Sequence, residues 1–269
     1  MAYQSKDHVF AVCAYQESVY LEECIESLNR QTKKGQIILC TATPNAFISS
    51  VAEKYHLPLY VNRGAHGIAE DWNFAYARAD APLVTLAHQD DVYEPQYLEK
   101  VLEKLNRTKW PLIAFTDYFE LRNGARVYAD RNKNLRVKEI ALLPLRPEVF
   151  QRSRLIRRFV LSLCCPICCP SVTYVKNHLP EGIFESHFLA DLDWQAWEKI
   201  SKQKGSFCYI RRPLMGHRIH PESTTTKVIG DAHNRSAEDL EMYRKFWPEP
   251  VARLLNRIYA SSQEGNHLK

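Results

Sequence analysis

The first half of the chain places its apolar residues in short continuous runs. Residues 9–13 (Val-Phe-Ala-Val-Cys), 37–40 (Ile-Ile-Leu-Cys), 59–61 (Leu-Tyr-Val) and 83–87 (Leu-Val-Thr-Leu-Ala) have no polar alternation. Runs of this length with no exposed face read as strands buried on both sides. Between them the spacing changes to three and four, the helical period. Leu21, Cys24, Ile25 and Leu28 form one such stripe; Ile48, Val51, Ala52 and Tyr55 form a second, after Pro44 and Asn45. Ile68, Trp72, Ala75 and Ala79 follow Gly64 and Gly67, and Leu98, Val101, Leu102 and Leu105 follow Pro95. Strand and helix in alternation predict βαβ units, hence a mostly parallel sheet with helices on both faces.

The second half is less regular. Residues 112–121 read as a long strand, and Asn123-Gly124 is a strong hairpin signal. Residues 130–145 are polar and basic and read as a loop, residues 153–165 as a helix. Strands are predicted at 171–175 and 207–210, with a helix at 191–202 between them and two more helices in the tail, broken near Pro248 and Pro250. The chemistry falls at the ends of these elements. His88-Gln89-Asp90-Asp91 follows the fourth strand, and in parallel sheets ligands bind beyond the carboxyl ends of strands. Paired carboxylates there suit Mg²⁺ or Mn²⁺, which take hard oxygen ligands and leave room for phosphate oxygens; two acids in a surface turn is the plain alternative. Asp191-Leu192-Asp193-Trp194 opens a helix. Its acids fit a general base or, equally, an N-cap and a first-turn charge, and Trp194 fits the core or a stacking surface. Arg218-Ile219-His220 and the following Glu222, Ser223, Thr224 and Thr225 fit a phosphate- or metal-binding loop, or a solvated one.

Composition narrows the field. The chain has 269 residues, 45% hydrophobic and 25% charged, an ordinary globular balance. Its net charge of +5, without dense Lys/Arg clustering, is expected to serve phosphates or an anionic surface, and no nucleic-acid partner is expected. No apolar stretch approaches the roughly 20 residues of a membrane span, and residues 1–7 are polar. The expected location is cytoplasmic, with peripheral contact at the inner face of the membrane. Arg152, Arg154, Arg157 and Arg158 stand beside an apolar segment and read as a solvated face or an anionic-lipid contact. Cys164, Cys165, Cys168 and Cys169 form one cluster with no second ligand pair, so buried thiols are favoured over a zinc site.

Taken together, these segments resemble glycosyltransferase family 2. Leu21, Ser27, Leu28, Gln31 and Thr32 look like the family's opening segment, and 67–73 (Gly-Ile-Ala-Glu-Asp-Trp-Asn) like the stretch leading to its metal motif. His88-Gln89-Asp90-Asp91 is similar to its acidic signature, 188–194 (Phe-Leu-Ala-Asp-Leu-Asp-Trp) to the segment carrying the base, and Arg218-Ile219-His220 to its late histidine motif. The likeness spans most of residues 8–245. It implies a GT-A fold, a Rossmann-like sheet with C-terminal helices. The expected parts are a nucleotide-sugar half at 1–125, an acceptor half of the same domain at 126–225 and a helical tail at 226–269. It implies transfer, with inversion, from a UDP- or dTDP-linked sugar to a saccharide or lipid-linked acceptor, such as a cell-surface polysaccharide or glycolipid precursor. By the same resemblance, Asp90, Asp91 and His220 hold Mg²⁺ or Mn²⁺ and Asp191 is the base. Ala14, Tyr15, Glu17, Gly67, Asn73, Asp90 and Arg218 bind the donor, and Asp193 and Trp194 face the acceptor. Two departures stand out: His88 replaces the first acid of the signature, and Thr41-Ala42-Thr43 replaces an acid that reads the nucleobase. They leave a non-catalytic, GT-A-like nucleotide- or partner-binding module as the alternative.

Overall fold

The computed structural model describes residues 2–221 and 232–264. Glu222, Ser223, Thr224 and Thr225 of the late motif lie outside the described residues. Nine strands join one sheet in the order Leu59–Val61, Gln36–Thr41, His8–Ala14, Leu83–His88, Val172–Val175, Pro111–Arg122, Ser206–Ile219, Val92–Tyr93, with Ala125–Val127 beside Pro111–Arg122. The predicted first half is present: β1 (His8–Ala14), α1 (Leu21–Asn29), β2 (Gln36–Thr41), α2 (Ala46–Lys54), β3 (Leu59–Val61), α3 (Ile68–Arg78), β4 (Leu83–His88) and α4 (Tyr97–Arg107). β3, β2, β1 and β4 pair in parallel. Their unbroken apolar runs have a direct cause. Val9 and Ala11 of β1 enter one core, with α3, while Phe10, Val12 and Ala14 enter another, with α1, α2 and α4.

The second half threads through the same sheet. After β4 comes the short β5 (Val92–Tyr93), and after α4 the long β6 (Pro111–Arg122), which turns at Asn123-Gly124 into β7 (Ala125–Val127). Both turn residues have positive φ, 49° and 79°, which is why this pair carries the hairpin signal. β8 (Val172–Val175) inserts antiparallel between β4 and β6, and β9 (Ser206–Ile219) runs parallel to β6. The parallel ladders hold most of the paired positions. The helices of this half are α5 (Lys133–Ala141), α6 (Arg154–Leu161), α7 (Leu192–Ser201), α8 (Ala232–Arg244) and α9 (Glu249–Glu264).

Two expectations need correction. Residues 130–145 are not a loop, since α5 lies within them, capped by Asn132, whose side chain accepts from the Asn134 and Leu135 amides. Its stripe is weak because Leu135 and Ala141 are buried while Val137 and Ile140 are exposed. The strand expected at 207–210 continues to Ile219. Arg211, Arg212 and Pro213 are exposed where the register slips against Thr116–Tyr118, and the ladder then resumes. The four arginines also divide. Arg152 and Arg154 are exposed, but Arg157 is fully buried and donates to the carbonyls of Ser201, Gln203 and Gly205, and Arg158 pairs with Glu198. They are therefore not one lipid-facing row.

Candidate active site

The turn after β4 is held from the far end of the sheet. β5 pairs antiparallel with β9, Val92 opposite Gly216, which brings residues 217–220 against Asp90 and Asp91. Asp91 is fully buried. Its Oδ1 accepts the Arg218 amide at 2.9 Å and stands 3.1 Å from His217 Nδ1. Burial opposes charging of His217, yet the carboxylates of Asp91 and Asp90 raise its pKa above the usual imidazole value. Arg218 braces the turn, with Nε donating to the Asp90 carbonyl at 2.8 Å, a terminal nitrogen to Glu23 at 2.6 Å and the guanidinium 4.3 Å from the Tyr20 ring centre. Gln89 ties the turn to the loop after β1 through paired bonds of 2.9 Å to the Tyr15 amide and carbonyl.

Asp90 points elsewhere. Its carboxylate is partly exposed, and Oδ2 lies 2.9 Å from His220 Nε2. Burial alone would raise its pKa, but the His220 bond and the nearby imidazoles of His88 and His217 hold it below the usual carboxylate value. His88 stacks on Trp72 at 4.7 Å between ring centres, and burial lowers its pKa. Asp90 and His220 open onto a cleft of about 980 Å³, also lined by Ala14, Tyr15, Glu17, Thr41, Thr43 and Gly67. The same cleft is walled by Leu189–Asp193, Lys138, Cys165, Cys168, Arg235 and Tyr259. Asp191 is the residue preceding α7, but its side chain makes no capping bond. Instead the Glu238 carboxylate accepts the amides of Leu189, Ala190 and Asp191 at 2.8–3.0 Å. Burial, then the neighbouring Asp239, raises the Asp191 pKa well above the carboxylate range; burial raises that of Asp193 too.

The model of the family described as "Glycosyl transferase family 2" matches residues 9–163. The chain belongs to this family. It is a glycosyltransferase, and its similarity to solved structures shows a GT-A fold. S. aureus TarS in complex with UDP-GlcNAc superposes with a TM-score of 0.63 at 14% identity, over 93% of this chain and 70% of that one. The mannosyltransferase PcManGT from Pyrobaculum calidifontis, in complex with GDP-Man and Mn²⁺, gives 0.63 at 13% identity over 97% and 72%. Glucosyl-3-phosphoglycerate synthase from Mycobacterium tuberculosis, with Mn²⁺, UDP and phosphoglyceric acid, gives 0.57 at 14% over 90% and 80%. No curated protein matches the chain in sequence.

In this glycosyltransferase the cleft gathers Ala14, Tyr15, Glu17, Gly67, Asp90, Asp191, Asp193 and His220 from the sequence-derived set. Four others lie outside it. Asp91 and Arg218 brace the turn. Asn73 spends its amide on the Phe184 backbone, donating at 2.8 Å and accepting at 3.1 Å. Trp194 is fully buried, its indole N–H on the Leu161 carbonyl and its ring against Tyr243, so it is core and not an acceptor platform. The sequence reading passed over Lys138, His217, Arg235, Glu238 and Tyr259. His217 was findable, being one residue from the late motif; the others sit in segments with no motif.

Proposed function

We propose that this transferase uses a nucleoside-diphosphate sugar, UDP- or dTDP-linked, with a Mg²⁺ or Mn²⁺ ion held by Asp90 and His220. The observation that carries it is a carboxylate oxygen and an imidazole nitrogen converging within 2.9 Å at the mouth of the cleft that Asp191 also lines. Among the described residues no group of three His, Cys, Asp or Glu forms a closed metal site. Two protein donors fit an ion that keeps waters and takes diphosphate oxygens as its remaining ligands. Asp91 then serves as the brace of the turn. When bound, such an ion would supply positive charge to the departing diphosphate, with Asp90 and His220 as its protein ligands. Tyr15, Glu17, Thr41 and Thr43 receive the nucleoside. The acceptor hydroxyl oxygen attacks the anomeric carbon, the bond to the diphosphate oxygen breaks, and Asp191 takes the hydroxyl proton, so the centre inverts. The test is a thermal-shift and transfer assay with UDP, dTDP and GDP and their sugars. Mn²⁺-dependent stabilisation by a nucleoside diphosphate, weakened in Asp90→Asn, is expected. Equal affinity in EDTA and in Mn²⁺ would sink the metal assignment, and full transfer by Asp191→Asn would sink the base.

A lipid-linked or membrane-proximal saccharide acceptor is favoured by the outside of α6. This helix buries Arg157 and exposes Leu155 and Phe159, 82% and 49% accessible, next to exposed Val149 and Phe150. A surface helix that turns its apolar side chains outward suits an interface plane, and Arg152 and Arg154 beside it complement anionic headgroups. Flotation with anionic vesicles, lost in Leu155→Ser/Phe159→Ser, is the expected result; equal flotation with neutral vesicles would remove the charge argument.

A further inference from the structure

The Asp191 carboxyl does not stand alone. α8 presents Arg235, Glu238 and Asp239 along one face, at the spacing of one helical turn, and each meets the start of α7 or its surroundings. Glu238 takes the amides of residues 189–191. Asp239 is 2% accessible and Asp191 3%, and their carboxyl groups are within hydrogen-bonding reach of each other. Asp191 Oδ2 and Asp239 Oδ1 are both buried and find no donor among the described residues. Two carboxyl groups in this position leave a buried oxygen on each without a hydrogen, which is costly. One proton between them answers both.

We propose that Asp239 is a positioning residue for the transfer reaction: it shares a proton with Asp191 at rest, and departure of that proton arms Asp191 as the base. The inference rests on Asp191 being the base and deepens that reading. A carboxylate next to a second carboxylate in a dry site binds its first proton more tightly than an isolated one. A base of raised proton affinity takes a hydroxyl proton more readily near neutral pH. The other groups around Asp191 are Arg235 and Tyr243 on α8, Tyr259 on α9, Asp193 on α7 and the thiol of Cys165 after α6. Arg235 opposes the effect of Asp239 and Asp193 adds to it. Glu238 fixes the backbone, so that the carboxyl of Asp191 meets Asp239 and not the amides of its own helix.

The experiment is the pH profile of kcat/KM for Asp239→Asn and Asp239→Glu in the full chain, beside Asp191→Asn. In the wild type, activity rises as the shared proton leaves. Asp239→Asn removes the second charge, so its acid limb moves to lower pH by about one pH unit or more, and its plateau falls because the base is weaker. Asp239→Glu keeps the charge and restores the limb. A purely structural Asp239 would lower kcat at every pH and leave the limb in place, and that result overturns the proposal. If Asp191→Asn retains transfer, the base assignment itself fails, a different outcome from an unmoved limb. Should Asp239→Asn fail to fold, ¹³C-carboxyl titration of the wild type decides: two well-separated steps support the pair, and two ordinary carboxyl steps near pH 4 overturn it.

Discussion

Arg157 offers the sharpest test of how this fold is held. It is fully buried and has no carboxylate partner among the described residues; three backbone carbonyls take its place, at Ser201, Gln203 and Gly205. These lie at and just beyond the C-terminus of α7, where helical carbonyls lack partners and the helix dipole is negative. The guanidinium also lies 5.0 Å from the Phe207 ring centre. Burial lowers its pKa to about 10, which still leaves it charged at neutral pH. Arg157→Ala strips the carbonyls of buried Ser201 and Gly205 of their donor, at about 1 kcal/mol or more each, leaves that of exposed Gln203 to water, and opens a void against Phe207. The expected loss is about 3–5 kcal/mol. For a chain of this size each kcal/mol corresponds to about 2–4 °C, so the melting temperature should fall by about 10 °C. Urea unfolding and a circular-dichroism melt measure it. Arg152→Ala and Arg154→Ala, two exposed arginines of the same run, should each stay within about 0.5 kcal/mol of wild type. If Arg157→Ala melts within 2 °C (an effect below about 1 kcal/mol), the carbonyl cluster is not held by this side chain.

Burial raises the Asp117 carboxyl to about 6 although Tyr209 donates to it. A carboxyl that holds its proton more tightly folded than unfolded detracts from stability above pH 6, and that penalty fades as pH falls towards 4. Asp117→Asn should therefore gain about 1–3 kcal/mol at pH 8 and progressively less below pH 6; a gain independent of pH refutes this. Gly216 lies where a Cβ would come 2.5 Å from the Phe119 ring and 3.0 Å from Val92. Gly216→Ala should cost about 1–3 kcal/mol and weaken Mn²⁺-dependent nucleotide binding, since it pushes on the strand next to His217; unchanged binding in calorimetry argues against that coupling. Glu238→Gln keeps the acceptor oxygen but loses the charge at three amides, so transfer should fall while UDP–Mn²⁺ affinity holds. Parallel loss of both would mean that Glu238 supports the whole cleft.

Much of the first half was legible in the sequence because burial on both faces leaves a plain mark. The unbroken apolar runs of β1 and β4, and the stripes of α1 to α4, follow from a sheet covered on each side. Asp90 was legible because it follows such a run directly. The second half was less so, for identifiable reasons. α5 buries only Leu135 and Ala141 and therefore shows no stripe. β9 is interrupted by Arg211-Arg212-Pro213, so the run that carries His217 to Asp91 looked finished at Ile210. Arg157 and Arg158 look alike in sequence, yet one replaces a helix cap and the other forms an ion pair. Asp239 and Glu238 act on residues 47–49 positions away, a relation that no local spacing encodes.

That separation also gives the active centre a history. When a chain is made from its N-terminus at about 5–20 residues per second, Asp191 exists for several seconds before Glu238 is added. In that interval it has neither Glu238 nor Asp239 beside it. The strands β1 to β8 precede Asp191 in the chain, and α8, which carries Glu238 and Asp239, follows it. The setting around the Asp191 carboxyl is thus completed late in the folding of this chain, when α8 docks against the start of α7.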